Sequence, residues 1–173
     1  MDNTSVEKKY NEAREKLAEA GVDADEALHK LETYQLSIHC WQGDDLRGFE
    51  QAASELTGSG LQVTGNYPGR PRNVDELRQD LEKALSLIPG RHRLNLHSIY
   101  GEFNGPVERS EYEPGHFRGW LDWAKVHDLK LDFNATCFAH PRAASGLTLS
   151  HPQKEIRKFW IDHVKACRKI AAF

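Results

Sequence analysis

The sequence predicts an α/β fold, and more narrowly part of a (β/α)8 barrel. Three observations carry this. Strand-like and helix-like segments alternate, which argues for a parallel sheet with right-handed helical crossovers. Each strand candidate is apolar on one parity and polar on the other. Each also runs into a cluster of polar side chains. An open doubly wound sheet is the alternative, but it is covered by helices on both faces and its strands read as continuously apolar. A polar face suits a barrel interior near its mouth.

The elements follow in order. Val6, Tyr10, Ala13 and Leu17 share one face of an N-terminal helix that Gly21 ends. Asp23 with Glu26 is a capping-box pattern for a short second helix through about Leu31. Residues 1–34 thus read as a helical extension and 35–173 as about three βα units. YQLSIHC is the first strand; Ser37 and His39 alternate with Leu36, Ile38 and Cys40. Residues 42–72 carry six glycines and two prolines without periodicity. Loops of that length are usually functional or disordered. Leu56, Leu61, Val63 and Tyr67 in it need something to pack on, and a neighbouring subunit is one candidate.

Asn73 with Glu76 caps the next helix, which places Val74, Leu77, Leu81, Leu85 and Ile88 on one face until Pro89-Gly90. In RLNLHSIY, Asn95 and His97 alternate with Leu94 and Leu96. Pro114 opens a helix whose Phe117, Trp120, Leu121 and Ala124 share a face. In LKLDFNATCF, Asp132 and Asn134 alternate with Leu131 and Phe133. Ser150 and Gln153 are expected to cap the last helix, with Pro152 in its first turn and Ile156, Trp160, Val164, Cys167 and Ala171 as its stripe. That helix meets no stop signal before Phe173. A complete barrel typically needs about 250 residues and at least about 200, so the expectation is the first part of a larger barrel.

Composition narrows the function classes. Hydrophobic content is 39% and charged content 28%, enough apolar residues for a core. Net charge is −3 with no basic block, which argues against nucleic acid and anionic membranes as partners. No run is long enough to span a bilayer, and the N-terminus has no apolar signal region. Cys40, Cys137 and Cys167 are odd in number and widely spaced, as expected of reduced thiols in a cytoplasmic protein. None has the setting of a nucleophile.

His39, His97 and Asn134 fall at the C-terminal ends of the three strands, the ends that build active sites in barrels. Trp41, Tyr100 and Phe133 stand near the strand ends, where aromatics serve as core or rim packing or as a pocket wall. Asp44 and Asp45 are adjacent and point apart, which suits a turn better than an acid/base pair. His140, before Pro141, reads as a loop residue. A Zn²⁺ site through His39 and His97, as in an endonuclease IV-like barrel enzyme, is an alternative. A non-catalytic assembly module is another.

The words HCWQGDD, LTGSGLQVTGNYPG, LIPG before RLNLHSIY, LDFNATCFAHP, LTLSH and IRKFWIDH together resemble the N-terminal part of L-rhamnose isomerases, from about Tyr10 to Phe173. The resemblance implies a barrel of the xylose-isomerase type. It also implies a homotetrameric, metal-dependent aldose–ketose isomerase that interconverts L-rhamnose and L-rhamnulose with Mn²⁺ as cofactor. It implies metal ligands and acid/base groups on strands beyond residue 173, so this chain alone is expected to be inactive. His97 and Phe133 match positions near the sugar pocket, with Trp41 and His39 as further candidates. Residues 56–69 match a segment that approaches a neighbour's active site.

Overall fold

The computed structural model describes residues 3–40, 48–50 and 71–173. Trp41, Asp44, Asp45, Leu56, Leu61, Val63 and Tyr67 lie outside them. The chain divides into two compact units, Met1–Leu36 and Ser37–Phe173.

In the first unit, α1 (Asn3–Glu19) and α2 (Ala24–Leu31) are joined by a tight turn. Gly21 has φ +79, and the Val22 N–H reaches back to the Leu17 carbonyl while the Gly21 N–H reaches that of Ala18. These two bonds make a Schellman end, which needs the left-handed conformation that glycine adopts freely. Asp23 caps α2 by accepting from the Glu26 N–H at 2.9 Å. The Tyr10 hydroxyl and the Arg14 guanidinium both donate to Asp25. Val6, Tyr10 and Leu17 of the expected apolar stripe remain exposed.

The sheet belongs to the second unit from Ser37 onward. Its order is β1 (Gln35–His39), β2 (Arg91–His97), β3 (Lys130–Asn134). β2 and β3 run parallel, with Asn95 opposite Asp132 and His97 opposite Asn134. α3 (Val74–Leu87) leads into β2, α4 (Arg118–Val126) into β3, and α5 (Lys154–Ala171) follows. Asn73 caps α3 by accepting from the Glu76 N–H at 2.9 Å. The Glu76 carboxylate reaches past the cap to the Arg72 N–H.

The core sits between the apolar sheet face and the helices. Leu94 and Leu96 of β2 meet Leu77 and Leu81 of α3, Trp120 of α4, and Ala166 and Ile170 of α5. Trp120 is fully buried; its Nε1–H donates to the Tyr100 carbonyl at 2.8 Å, and the Arg78 guanidinium lies over its ring. Burial of this apolar area is the main favourable term in folding the unit.

Two details of α5 depart from the expected pattern. Pro152 stands before the helix, and Gln153 occupies the cap without a side-chain bond. The His151 imidazole accepts from the Gln153 N–H instead. The buried stripe is Phe159, Trp160, His163, Ala166, Cys167 and Ile170, with Ala171 exposed. It is rotated toward His163 because that imidazole has polar partners inside.

Candidate functional site

The alternation along the strands sorts side chains as the sequence requires. Leu94, Leu96, Leu131 and Phe133 face the helices. Ser37, Arg93, Asn95, Asp132 and Asn134 bond to one another on the other face. Arg93 donates to Asp132 from Nε at 2.9 Å and from Nη2 at 2.5 Å. Ser37 donates to the same carboxylate at 2.6 Å, which ties β1 to β3 across β2. The Arg93 guanidinium foremost, then Ser37, holds the Asp132 carboxyl below the usual range. The Asn134 amide donates to the Asn95 carbonyl oxygen at 2.8 Å.

At the C-terminal end of this face stand the histidines. His97 is 4% exposed. Its ring centre lies 6.2 Å from that of His39 and 6.3 Å from that of Phe138, and its Nδ1 is 3.4 Å from the Thr136 hydroxyl. Burial, and secondly the neighbouring His39, push His97 down to about 4. At neutral pH it is therefore an uncharged imidazole, able to donate one hydrogen bond and accept another.

A buried guanidinium organises the segments that follow the strands. Arg109 is 2% exposed, and all five of its N–H groups are used. Nε and Nη2 grip Glu50 in a fork, each at 2.7 Å. Nη1 donates to the Thr136 and Phe138 carbonyls, both at 2.6 Å, and Nη2 also donates to that of Ala139 at 2.9 Å. Charge-assisted forks of this kind are short and directional. Tyr112 donates to Glu50 as well, and burial and that carboxylate raise its phenol strongly. His163 Nδ1–H donates to the Arg109 carbonyl at 2.9 Å. Gly48 brings Glu50 into place. Its φ is +65, and a Cβ there would lie 2.4 Å from the Ile99 carbonyl oxygen. The next residue, Phe49, donates its N–H to that oxygen at 2.7 Å.

The sequence reading finds His39, His97 and Asn134, and the fold brings these three together. Phe133 lies on the opposite face, edge-on to Phe117 at 4.9 Å between centres, so it is not brought beside His97. His140 is a loop residue that accepts from the Arg142 N–H and stacks on Phe159. Burial raises the Cys137 thiol and lifts Cys167 to about 12, so neither is a thiolate at neutral pH. The sequence reading misses Arg109, Glu50, Tyr112 and Thr136. Arg109 and Glu50 are 59 residues apart in segments without periodicity, so no local pattern announces them. A separate cleft of about 420 Å³ lies at the other end of the strands, lined by Glu82, His92, His127 and Asp128 among others.

Among the described residues, no three His, Cys, Asp or Glu side chains converge as a metal site. No helix among them is long and apolar enough to cross a membrane.

Comparison with known proteins gives this geometry a family. The profile of the L-rhamnose isomerase (RhaA) family matches residues 4–173. An L-rhamnose isomerase of Rhodopirellula baltica is 57% identical over 168 residues, 97% of this chain and 39% of its own length. One of Klebsiella pneumoniae is 56% identical over 170 residues, 98% of this chain and 40% of its own. The chain thus spans about 40% of the length of the curated relatives it matches. Identity at this level, continuous from the first helix through the three βα units, means that the chain belongs to the L-rhamnose isomerase family.

Proposed function

We propose that residues 35–173 supply the first three βα units of a (β/α)8 barrel of the xylose-isomerase type, with 1–34 as a helical extension. The whole enzyme would interconvert L-rhamnose and L-rhamnulose. The sequential strand order supports this reading, because it contains no reversal of the kind that marks a doubly wound sheet. The observation that carries it is the polar face ending in His39, His97 and Asn134, in a chain 57% identical to an L-rhamnose isomerase.

On this reading the chain builds one wall of the sugar pocket. Neutral His97 exchanges hydrogen bonds with a sugar hydroxyl, and its low affinity for protons keeps it from becoming a cation there. His39 lies alongside, and Trp41 is a further proposed contact; Phe133 packs on the helix side behind this wall. Mn²⁺ is the proposed cofactor. The described residues do not fit it, since they bring together no ligand set, and its ligands are assigned to the part of the family's length that this chain does not span. A cytoplasmic homotetramer completes the proposal, with residues 56–69, including Leu56, Leu61, Val63 and Tyr67, reaching toward a neighbouring subunit.

A chimera tests it. Joining this chain to the remaining length of the Rhodopirellula relative should give Mn²⁺-dependent conversion of L-rhamnose to a ketose, whereas the chain alone should give none. A chimera that folds and assembles but does not turn over L-rhamnose would refute the assignment.

A further inference from the structure

We propose that Arg109 is a positioning residue for the His97 wall, acting through Thr136 and Phe138. The inference rests on the reading of His97 as a sugar contact. Arg109 holds the carbonyls of Thr136 and Phe138 with the two hydrogens of one nitrogen. Those same two residues face His97: the Thr136 hydroxyl stands 3.4 Å from Nδ1, and the Phe138 ring centre is 6.3 Å from the imidazole. The Thr136 N–H is fixed in turn by the Ser98 hydroxyl at 3.0 Å, and Ser98 directly follows His97 in the chain. The loop is closed, so movement of the Thr136 carbonyl moves what touches the imidazole.

Two further features point the same way. Ala139 is held at φ +50, a left-handed conformation that is unfavourable for a side-chain-bearing residue, and its carbonyl is the third that Arg109 binds. Strain of this kind persists only where surrounding bonds over-determine it. Glu50 locks the guanidinium plane, which fixes the directions of the remaining N–H groups. A lysine has no such plane and only three donors.

The test uses the 173-residue chain, with side-chain ¹⁵N NMR of His97 and amide exchange of Thr136. Arg109→Lys should shift the His97 ring nitrogens and speed Thr136 exchange roughly tenfold, the loss expected for a bond to a charged group. Leu81→Ala, a core change in α3, serves as the control for stability loss alone and should leave the His97 ring signals in place. Should Arg109→Lys not fold, Glu50→Gln and Tyr112→Phe loosen the same fork more gently and are read in the same way. Unchanged His97 signals in the folded fork variants, or equal shifts in Leu81→Ala, would overturn the proposal. Turnover of L-rhamnose by the chimera described above is scored separately. A folded, assembled chimera that does not convert the sugar counts against the isomerase reading and leaves the positioning result standing.

Discussion

The His39 and His97 rings lie 6.2 Å apart, tilted by 44°, at the ends of adjacent strands. Burial foremost, and then the neighbouring His39, disfavours a proton on His97.

Acid should therefore weaken the fold within a defined window. His97 and His140 both titrate near 4 in the folded chain, against an ordinary value of 6.5. Between those values the unfolded chain binds more protons, so stability is complete above about pH 6.5 and falls as pH drops toward 4. Each pKa unit corresponds to about 1.4 kcal/mol. Urea midpoints should fall steadily from pH 7 to 4.5, and His97→Gln should flatten that slope. A slope unchanged by the substitution would show that His97 does not titrate as described.

Removing Glu50 should be among the most damaging single changes. Glu50→Ala leaves the Arg109 guanidinium buried without its counter-charge, a loss of about 3–5 kcal/mol for a buried pair. Replacing both partners with apolar residues should cost less than the single change. Chemical denaturation of the single and double variants measures the difference.

Gly48→Ala should also weaken the second unit. The added methyl meets backbone at Ile99 in a left-handed conformation, so the Phe49–Ile99 bond has to give. Loss of exchange protection at the Phe49 amide, together with a lower melting temperature, is the expected result.

At the first turn of α3, Asn73→Ala removes the acceptor for the Glu76 N–H and should cost about 1 kcal/mol. Asn73→Asp should retain most of that stability. Thermal melts of the two variants give the comparison.

Large apolar side chains stay open to solvent, among them Leu36, Leu87, Val126 and Phe173. The isolated chain should bind a hydrophobic dye and self-associate with rising concentration. A monodisperse monomer that binds no dye would contradict this.

Much of the architecture was written in local patterns. The caps at Asp23 and Asn73, the stop at Gly21 and the alternation in β2 and β3 each depend on neighbours within a few residues, and each appears where the chain predicts it. Parity also explains Phe133: it shares a face with Leu131, so the strand turns it toward the helices. The rotation of the α5 stripe was hidden because His163 reads as polar from sequence, yet Arg109 and Ser98 give it partners inside. The Arg109–Glu50 fork was hidden for a different reason: it exists only once three separate connections meet.

That meeting constrains how such a chain can change. A guanidinium whose donors are all committed ties the connections after three strands into one geometric unit. Insertions or deletions within residues 136–139 would have to be matched elsewhere to be tolerated. Sequence drift around these connections should therefore be concerted, with their lengths inherited as a set.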